Sequence, residues 1–238
     1  MNIGLDMMGG DLAPLEAIRG VKLYLDEEKD SNTRISLVGD QQQIEPLLKE
    51  HSIPTDRIQI FHAAQVIGMH EHPTRAMKEK RDSSIAVGFE KLASEQIDAF
   101  ISAGNTGAML VGALFSVKAL EGVLRPTIST IIPKHGGGTG LLLDVGLNAD
   151  CKPENLNQFA VMGSVYAQLM LGIEDPKVGL VNVGEEEGKG NMLAQATYPL
   201  LRENQHIHFI GNIEGRDILM NKADVMVCEG FTGKVILK

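Results

Sequence analysis

Short apolar runs alternate with amphipathic stretches along almost the whole chain, and the alternation predicts strand–helix units. Asn2 to Met8 reads as a strand ending in Gly9-Gly10-Asp11, and the helix after Pro14 carries Ile18, Val21, Leu23 and Leu25. Strands at Arg34 to Val38 and Arg57 to His62 flank a helix from Gln41 to Glu50. Helical periodicity from Thr74 to Gln96 is interrupted near Asp82-Ser83-Ser84, and Asp98 to Ser102 is the next strand. Thr127 to Ile132 and Gly140 to Val145 read as neighbouring strands. Pro153 opens a helix that reaches Leu171, a strand begins at Val178, a helix runs from Asn191 to Arg202, and strands follow at Ile207 to Ile213 and Ala223 to Cys228. Phe231 to Lys238 has the pattern of a helix's opening turns. Repeated units of this kind imply a three-layer α/β/α arrangement around a largely parallel sheet, and with no linker or repeat visible the expectation is a single α/β domain over 1–238.

The strand ends carry the chemistry. Val178 to Asn191, V-G-L-V-N-V-G-E-E-E-G-K-G-N, is a buried strand broken by Gly184, Gly188 and Gly190 before a helix start, with Lys189 inside the turn. Similar turns close the other strands: Gly9-Gly10-Asp11, Gly104-Asn105-Thr106-Gly107, Gly146-Leu147-Asn148, Gly211 to Asp217, and Gly230-Phe231-Thr232-Gly233. In one parallel sheet these share an edge, where exposed backbone N–H groups and helix N-termini receive anions. Glycines also shape ordinary tight turns, and Glu185, Glu186 and Glu187 are equally readable as solvated carboxylates near a helix start.

Composition narrows the function classes. A formal net charge of −9 argues against nucleic acid as a partner. Cys151 and Cys228 lack metal or disulfide spacing and read as reduced thiols of a cytosolic enzyme. A strand starting at Met1 leaves no room for a signal peptide. The apolar run Ala108 to Val117 is short of the roughly 20 residues a membrane span needs and reads as a buried helix. Neither G-x-G-x-x-G at the first strand nor G-x-x-x-x-G-K-[ST] nor G-x-S-x-G occurs, so dinucleotide, P-loop and serine-elbow chemistry lose support. The pairs His70/His72 and His206/His208 lack a third ligand, and the expectation is no required metal. Direct transfer onto a bound anion remains.

These motifs together resemble the PlsX phosphate acyltransferase family. The resemblance is carried by Met8-Gly9-Gly10-Asp11, I-S-A-G-N-T-G-A from Ile101, L-L-D-V-G from Leu142 with Asn148, C-K-P-E-N-L from Cys151, Q-F-A-V-M-G-S-V-Y from Gln158, V-N-V-G-E-E-E-G-K-G-N from Val181, F-I-G-N-I-E-G-R-D from Phe209 and E-G-F-T-G from Glu229. It implies a fold similar to the isocitrate and isopropylmalate dehydrogenases and to phosphotransacetylase. It implies a homodimer without an organic cofactor, in the cytoplasm and peripherally associated with the membrane. The implied reaction makes acyl-phosphate from acyl-acyl-carrier-protein and inorganic phosphate, ahead of a membrane glycerol-3-phosphate acyltransferase in phospholipid synthesis. Leu12 stands where the family has histidine and Lys234 where asparagine is usual. Family members continue past Lys238, so the C-terminal part of the family's chain is expected to be missing.

Phosphate loses its second proton at a pKa of about 6–7, so its oxyanion can attack a thioester without a strong base, and the protein supplies position and charge. Lys189 and Arg216 are the candidate catalytic cations, with Asn191 a hydrogen-bond donor at a helix start. Asp11, Asn105, Thr106, Asp144, Asn148, Gly184 and Thr232 are the candidate substrate-side residues. Arg216 could instead pair with Asp217 or a helix carboxylate, and Asn105 and Thr106 are ordinary helix-cap residues. An acidic carrier protein calls for a basic patch, either Lys78, Lys80 and Arg81 or Lys118, Arg125 and Lys134. Two other readings stay open: a phosphotransacetylase-like enzyme using acyl-coenzyme A, and a non-catalytic scaffold that binds carrier protein.

Overall fold

The computed structural model describes residues 1–28 and 32–238, and the strands divide between two sheets, one in each of two units, Met1–Ala119 and Leu120–Lys238. The first unit contains β1 (Asn2–Asp6), α1 (Leu15–Glu27), β2 (Arg34–Gly39), α2 (Gln41–Glu50), β3 (Ile58–His62), α3 (Pro73–Glu79), α4 (Ser84–Ala93), β4 (Ala99–Ile101) and α5 (Thr106–Gly112), which continues as a π-helical turn, Ala113–Val117. Its sheet is parallel throughout, in the order β3-β2-β1-β4. Helices cover both faces: Ile18, Val21 and Ile44 of α1 and α2 pack with Leu37, while Ile85 and Phe89 of α4 pack with Ala76, Ala108 and the partly buried Phe100. Phe89 and Phe100 meet edge to face with centroids 5.4 Å apart.

The second unit contains β5 (Ser129–Pro133), β6 (Thr139–Leu143), α6 (Pro153–Leu171), β7 (Lys177–Asn182), α7 (Met192–Glu203), β8 (His208–Glu214), a 3-10 turn (Gly215–Asp217), β9 (Val225–Val227) and α8 (Gly230–Leu237). The sheet order is β5-β6-β9-β7-β8, with β5 antiparallel to β6 and the other pairs parallel. The period of two along β6 sends Leu141 and Leu143 toward Phe159 of α6, and Leu142 toward Met226 and Ile213 on the other face. Pro153 takes the first helical turn of α6, and Gly172, at φ +68°, supplies the left-handed residue that ends it.

Two expectations change here. The single sheet is two sheets, because β4 pairs with β1 alone and β5 opens a second sheet, and no shift in composition marks the junction. The six glycine turns therefore occupy two edges, two turns in the first unit and four in the second. The run Ala108 to Val117 is helical but only partly buried: Ala108 and Gly112 face the core, and Phe115 and Val117 are exposed. A run apolar at nearly every position can pack only one face against α4, so periodicity could not show which residues remain outside.

Candidate functional site

The β7–α7 loop is held from several sides. Gly190 sits at φ +92°, where a side chain would also strike Asn182. Asn182 Nδ2 donates to the Lys189 carbonyl at 3.1 Å, and Gln195 Nε2, from the first turns of α7, reaches back to the Gly188 and Gly190 carbonyls at 3.0 Å each. From β8, the buried Asn212 donates Nδ2 to the Glu186 carbonyl at 2.8 Å. Of the three glutamates, Glu185 pairs with Lys222 and Glu187 with Arg202. Gly184 gives room to the Lys189 stem, since a Cβ there would come within 3.0 Å of Lys189 Cγ. The Lys189 ammonium is exposed and has no carboxylate partner among the described residues.

At the end of β6 the fully buried Asp144 organises its own loop. Oδ1 accepts the N–H groups of Gly146 and Leu147 at 3.1 and 3.0 Å, and Oδ2 accepts Asn148 N at 2.8 Å and Asn148 Nδ2 at 2.7 Å. The Asn148 carbonyl then receives Gly230 N at 2.8 Å, which seats the start of α8. Gly230 must be glycine for this approach: a Cβ would lie 2.8 Å from Asn148 N.

The two helix starts at this edge differ. The N-terminus of α8 is closed by its own cap: Glu229 Oε2 accepts Phe231 N at 2.6 Å and Thr232 N at 3.0 Å, and Oε1 takes the Thr232 hydroxyl. In α7 the cap Asn191 accepts only Ala194 N, at 2.9 Å, and among the described residues no acceptor meets the N–H groups of Met192 and Leu193. Between these helices lies a cavity of about 690 Å³ with Leu156, Leu180, Leu193 and Ile236 on an apolar wall. Asn191, Arg216 and Thr232 line it too, with Glu214 and Glu229. Arg216 pairs with Glu214 at 2.9 Å while staying 72% exposed. Asp217, the partner expected as an alternative, instead caps Glu214 N, and this bond together with Lys222 holds its carboxyl below the usual range.

Both thiols are poor nucleophiles. Burial, and then the Asp144 charge, push Cys151 up to about 11, and burial raises Cys228 further still. Among the described residues no cluster of His, Cys, Asp and Glu has the makings of a metal site.

Of the expected site residues, Asn191, Arg216 and Thr232 line one cavity, and Lys189 and Gly184 belong to the adjoining loop. Asp144 does not face a substrate, because it is buried and its acceptors are taken by the loop. Asn148 is half-buried, its Nδ2 shared between Asp144 and the Pro126 carbonyl. Asp11, Asn105 and Thr106 belong to the first unit. Asp11 and the 68% exposed Leu12 line a separate hollow of about 520 Å³. Asn105 cannot serve as a ligand: it is buried, its Oδ1 caps Ala108 N, and its Nδ2 donates to the Gly68 and Glu71 carbonyls. Thr106 is exposed at the start of α5. Lys234 lays its stem over Gly146.

Among the docking candidates, Lys134 is removed by burial against Asp224 at 2.6 Å, and Lys80 is bound to Glu71 and the Val66 carbonyl. Arg125 donates to the Asp150 carbonyl. Lys78, Arg81 and Lys118 are exposed, with no carboxylate partner among the described residues. Sequence reasoning gave no role to Glu229, Gln195, Asn212 or Lys222. None carried a local signal: glutamate is not among the usual helix caps, so the role of Glu229 at the start of α8 is visible only in the fold.

The whole chain, residues 1–238, matches the family model described as "Fatty acid synthesis protein". A curated protein named "Phosphate acyltransferase" from Dictyoglomus turgidum is 46% identical over 238 residues, covering 100% of this chain and 70% of its own length. One of the same name from Thermoanaerobacterium thermosaccharolyticum is 48% identical over 238 residues, covering 100% and 69%. Among solved structures, the EutD phosphotransacetylase from Staphylococcus aureus superposes with a TM-score of 0.68 at 17% identity, over 99% of this chain and 79% of that one. A phosphotransacetylase from Streptococcus pyogenes gives 0.70 at 14% identity, with the same coverage. These last two likenesses concern the fold.

Proposed function

We propose, from the premise that the chain belongs to the PlsX phosphate acyltransferase family, that phosphate is held at the open N-terminus of α7. The enzyme is an acyltransferase that converts acyl-acyl-carrier-protein and inorganic phosphate to acyl-phosphate and free carrier protein. The observation that carries the placement is the contrast between the two helix starts. A phosphate at α8 would have to displace Glu229, whereas α7 presents two unanswered N–H groups beside Lys189. Helix N-termini with free N–H groups and a nearby cation are ready anion sites.

A phosphate oxygen attacks the thioester carbonyl carbon, an O–C bond forms, and the C–S bond breaks to release the carrier thiolate, which then takes a proton from water. Inorganic phosphate has its second ionisation close to neutrality, so mono- and dianion are both well populated and the dianion can attack without a protein base. Lys189 and Arg216 stabilise phosphate and the developing oxyanion, and Asn191 fixes its orientation. The apolar wall formed by Leu156, Leu180, Leu193 and Ile236 supports a place for the acyl chain or the carrier arm.

Lys78 and Arg81 serve the acidic carrier protein, supported by the lack of a carboxylate partner for either among the described residues. A homodimer is supported by the exposed apolar face of α6, with Val165, Leu169 and Met170 at 46%, 77% and 66% exposure. No described helix is long and apolar enough to cross a membrane. An acyl-phosphate with a fatty chain suits peripheral contact with the membrane and a glycerol-3-phosphate acyltransferase there.

The test supplies long-chain acyl-carrier protein, with acyl-coenzyme A in parallel, with and without phosphate, and follows free thiol and hydroxylamine-trapped acyl-phosphate. Lys189→Ala should lower turnover by about 10²–10³ without changing the melting temperature. Near-normal turnover in that variant overturns the placement. Faster consumption of acyl-coenzyme A would make the enzyme phosphotransacetylase-like in its donor.

A further inference from the structure

The loop that carries Lys189 and the turn that carries Arg216 are joined by one side chain. Lys222 Nζ lies 2.5 Å from Glu185 Oε1 and 2.9 Å from Asp217 Oδ2. Asp217 Oδ2 also accepts Glu214 N at 2.9 Å, closing the turn after β8 on which Arg216 sits. The Lys222–Asp217 arm is the better shielded, with side-chain exposures of 35% and 14%, against 55% for Glu185. Both carboxylates in turn raise the affinity of Lys222 for its proton, the Glu185 bond first. Lys222 does not line the cavity between α7 and α8.

We propose that Lys222 is a positioning residue for the acyl transfer, fixing the β7–α7 loop against the β8 turn so that Lys189 and Arg216 converge on one phosphate. The proposal rests on the reading above that those two cations hold phosphate. A loop containing Gly184, Gly188 and Gly190 has many conformations to lose. Substrate binding would otherwise supply that ordering, whereas a lysine between two carboxylates imposes it beforehand. Asn212 works in the same direction from below, bonding the Glu186 carbonyl. The Arg202–Glu187 pair is more exposed, at 54% and 55%, and holds the loop less firmly.

The experiment measures kcat and the KM for inorganic phosphate in Lys222→Met, Lys222→Arg, Glu185→Gln and the Lys222→Met/Glu185→Gln double variant, together with amide exchange over 183–190 and melting temperature. Lys222→Met should lower kcat/KM for phosphate by about 10- to 100-fold and speed exchange over 183–190, with little change in melting temperature. Lys222→Arg should recover most of the activity. Glu185→Gln should show the same effect more weakly, and the double variant should be no worse than Lys222→Met. Should Lys222→Met fold poorly, the exposed Glu185→Gln carries the test alone.

Unchanged KM and exchange in Glu185→Gln and Lys222→Met overturn the inference, as do effects that simply add in the double variant. A lower melting temperature with normal kcat/KM in the folded protein also overturns it, leaving Lys222 a stabilising residue only. If Lys189→Ala is inactive while Lys222→Met is normal, only this inference falls. If Lys189→Ala is near normal, the placement of phosphate falls first and this inference with it.

Discussion

Replacing Asp144 with asparagine separates a residue that shapes the site from one that touches substrate. The change keeps size and shape but turns one carboxylate oxygen into an NH₂ group. Four donors converge on Asp144: Gly146 N, Leu147 N, Asn148 N and Asn148 Nδ2. The amide can accept from at most two of them, and its NH₂ then faces the remaining two donors. Hydrogen bonds to a charged group contribute about 1.5–3 kcal/mol each, so two lost bonds amount to roughly 3–6 kcal/mol. The neutral amide escapes part of the cost of burying a charge, which places the net loss near the lower end, about 3 kcal/mol. In a chain of this size that corresponds to a fall of roughly 6–12 °C in melting temperature. The assay is thermal unfolding followed by circular dichroism, with turnover measured well below the transition. Turnover of the folded variant should fall less than the stability does, because Asp144 is fully buried and does not line the cavity. A variant that melts within about 2 °C of the parent yet has lost turnover would refute the reasoning, since surface-like stability effects are that small.

Two further outcomes follow from buried groups. Lys134→Met leaves Asp224 without its partner in a site where the lysine side chain is 3% exposed and the aspartate 20%, and should cost about 3 kcal/mol in urea unfolding at pH 7. Burial pushes the Asp224 carboxyl up, but the bonds from Lys134 and Lys177 N outweigh it and hold it below its ordinary value. A depressed folded pKa contributes stability above the unfolded pKa of about 4 and loses it as pH falls through the folded value, so the gap between parent and variant should narrow below about pH 4. A gap that is constant down to pH 3 would contradict this. Cys151, raised from 9.0 to about 11, should react with iodoacetamide at pH 8 at roughly one hundredth of the rate expected without that shift, and Cys151→Ser should keep its turnover. Loss of turnover in Cys151→Ser would bring a covalent thiol step back into the mechanism.

The elements were legible where local chemistry sets them. Asp40 caps α2 through Gln42 N, and Pro153 and Gly172 bracket α6, so those helices lie where the periodicity puts them. The glycine turns were legible as well, because a left-handed φ at Gly190 and the close approach at Gly230 leave few residues that fit. Which polar side chains stay available was not legible. Lys134 and Lys189 are both lysines in glycine-rich turns, yet one is buried against Asp224, 90 residues away, and the other meets no carboxylate among the described residues. Asn105 and Asn191 both cap helices, but only Asn105 has its amide drawn into the 68–71 loop. Such differences are decided by long-range partners that no local pattern encodes.

A chain with a net charge of −9 still has to receive a phosphate dianion, and the arrangement of its carboxylates makes that possible. Asp144 is answered by loop N–H groups, Glu229 by the first turn of α8, Glu214 by Arg216, and Glu185 and Glu187 by Lys222 and Arg202. Each of these acidic groups thus already has a donor or a cation of its own, whereas the Glu186 side chain has none among the described residues. In the β7–α7 segment the open start of α7 and the Lys189 ammonium lack an answer among the described residues, and they lie within a few residues of each other. Net charge acts at long range and is screened over about 10 Å at 0.1 M salt, whereas the dianion responds to the groups it touches. Selective neutralisation of the carboxylates, more than any surplus of lysine and arginine, is what makes an anion site on an acidic surface.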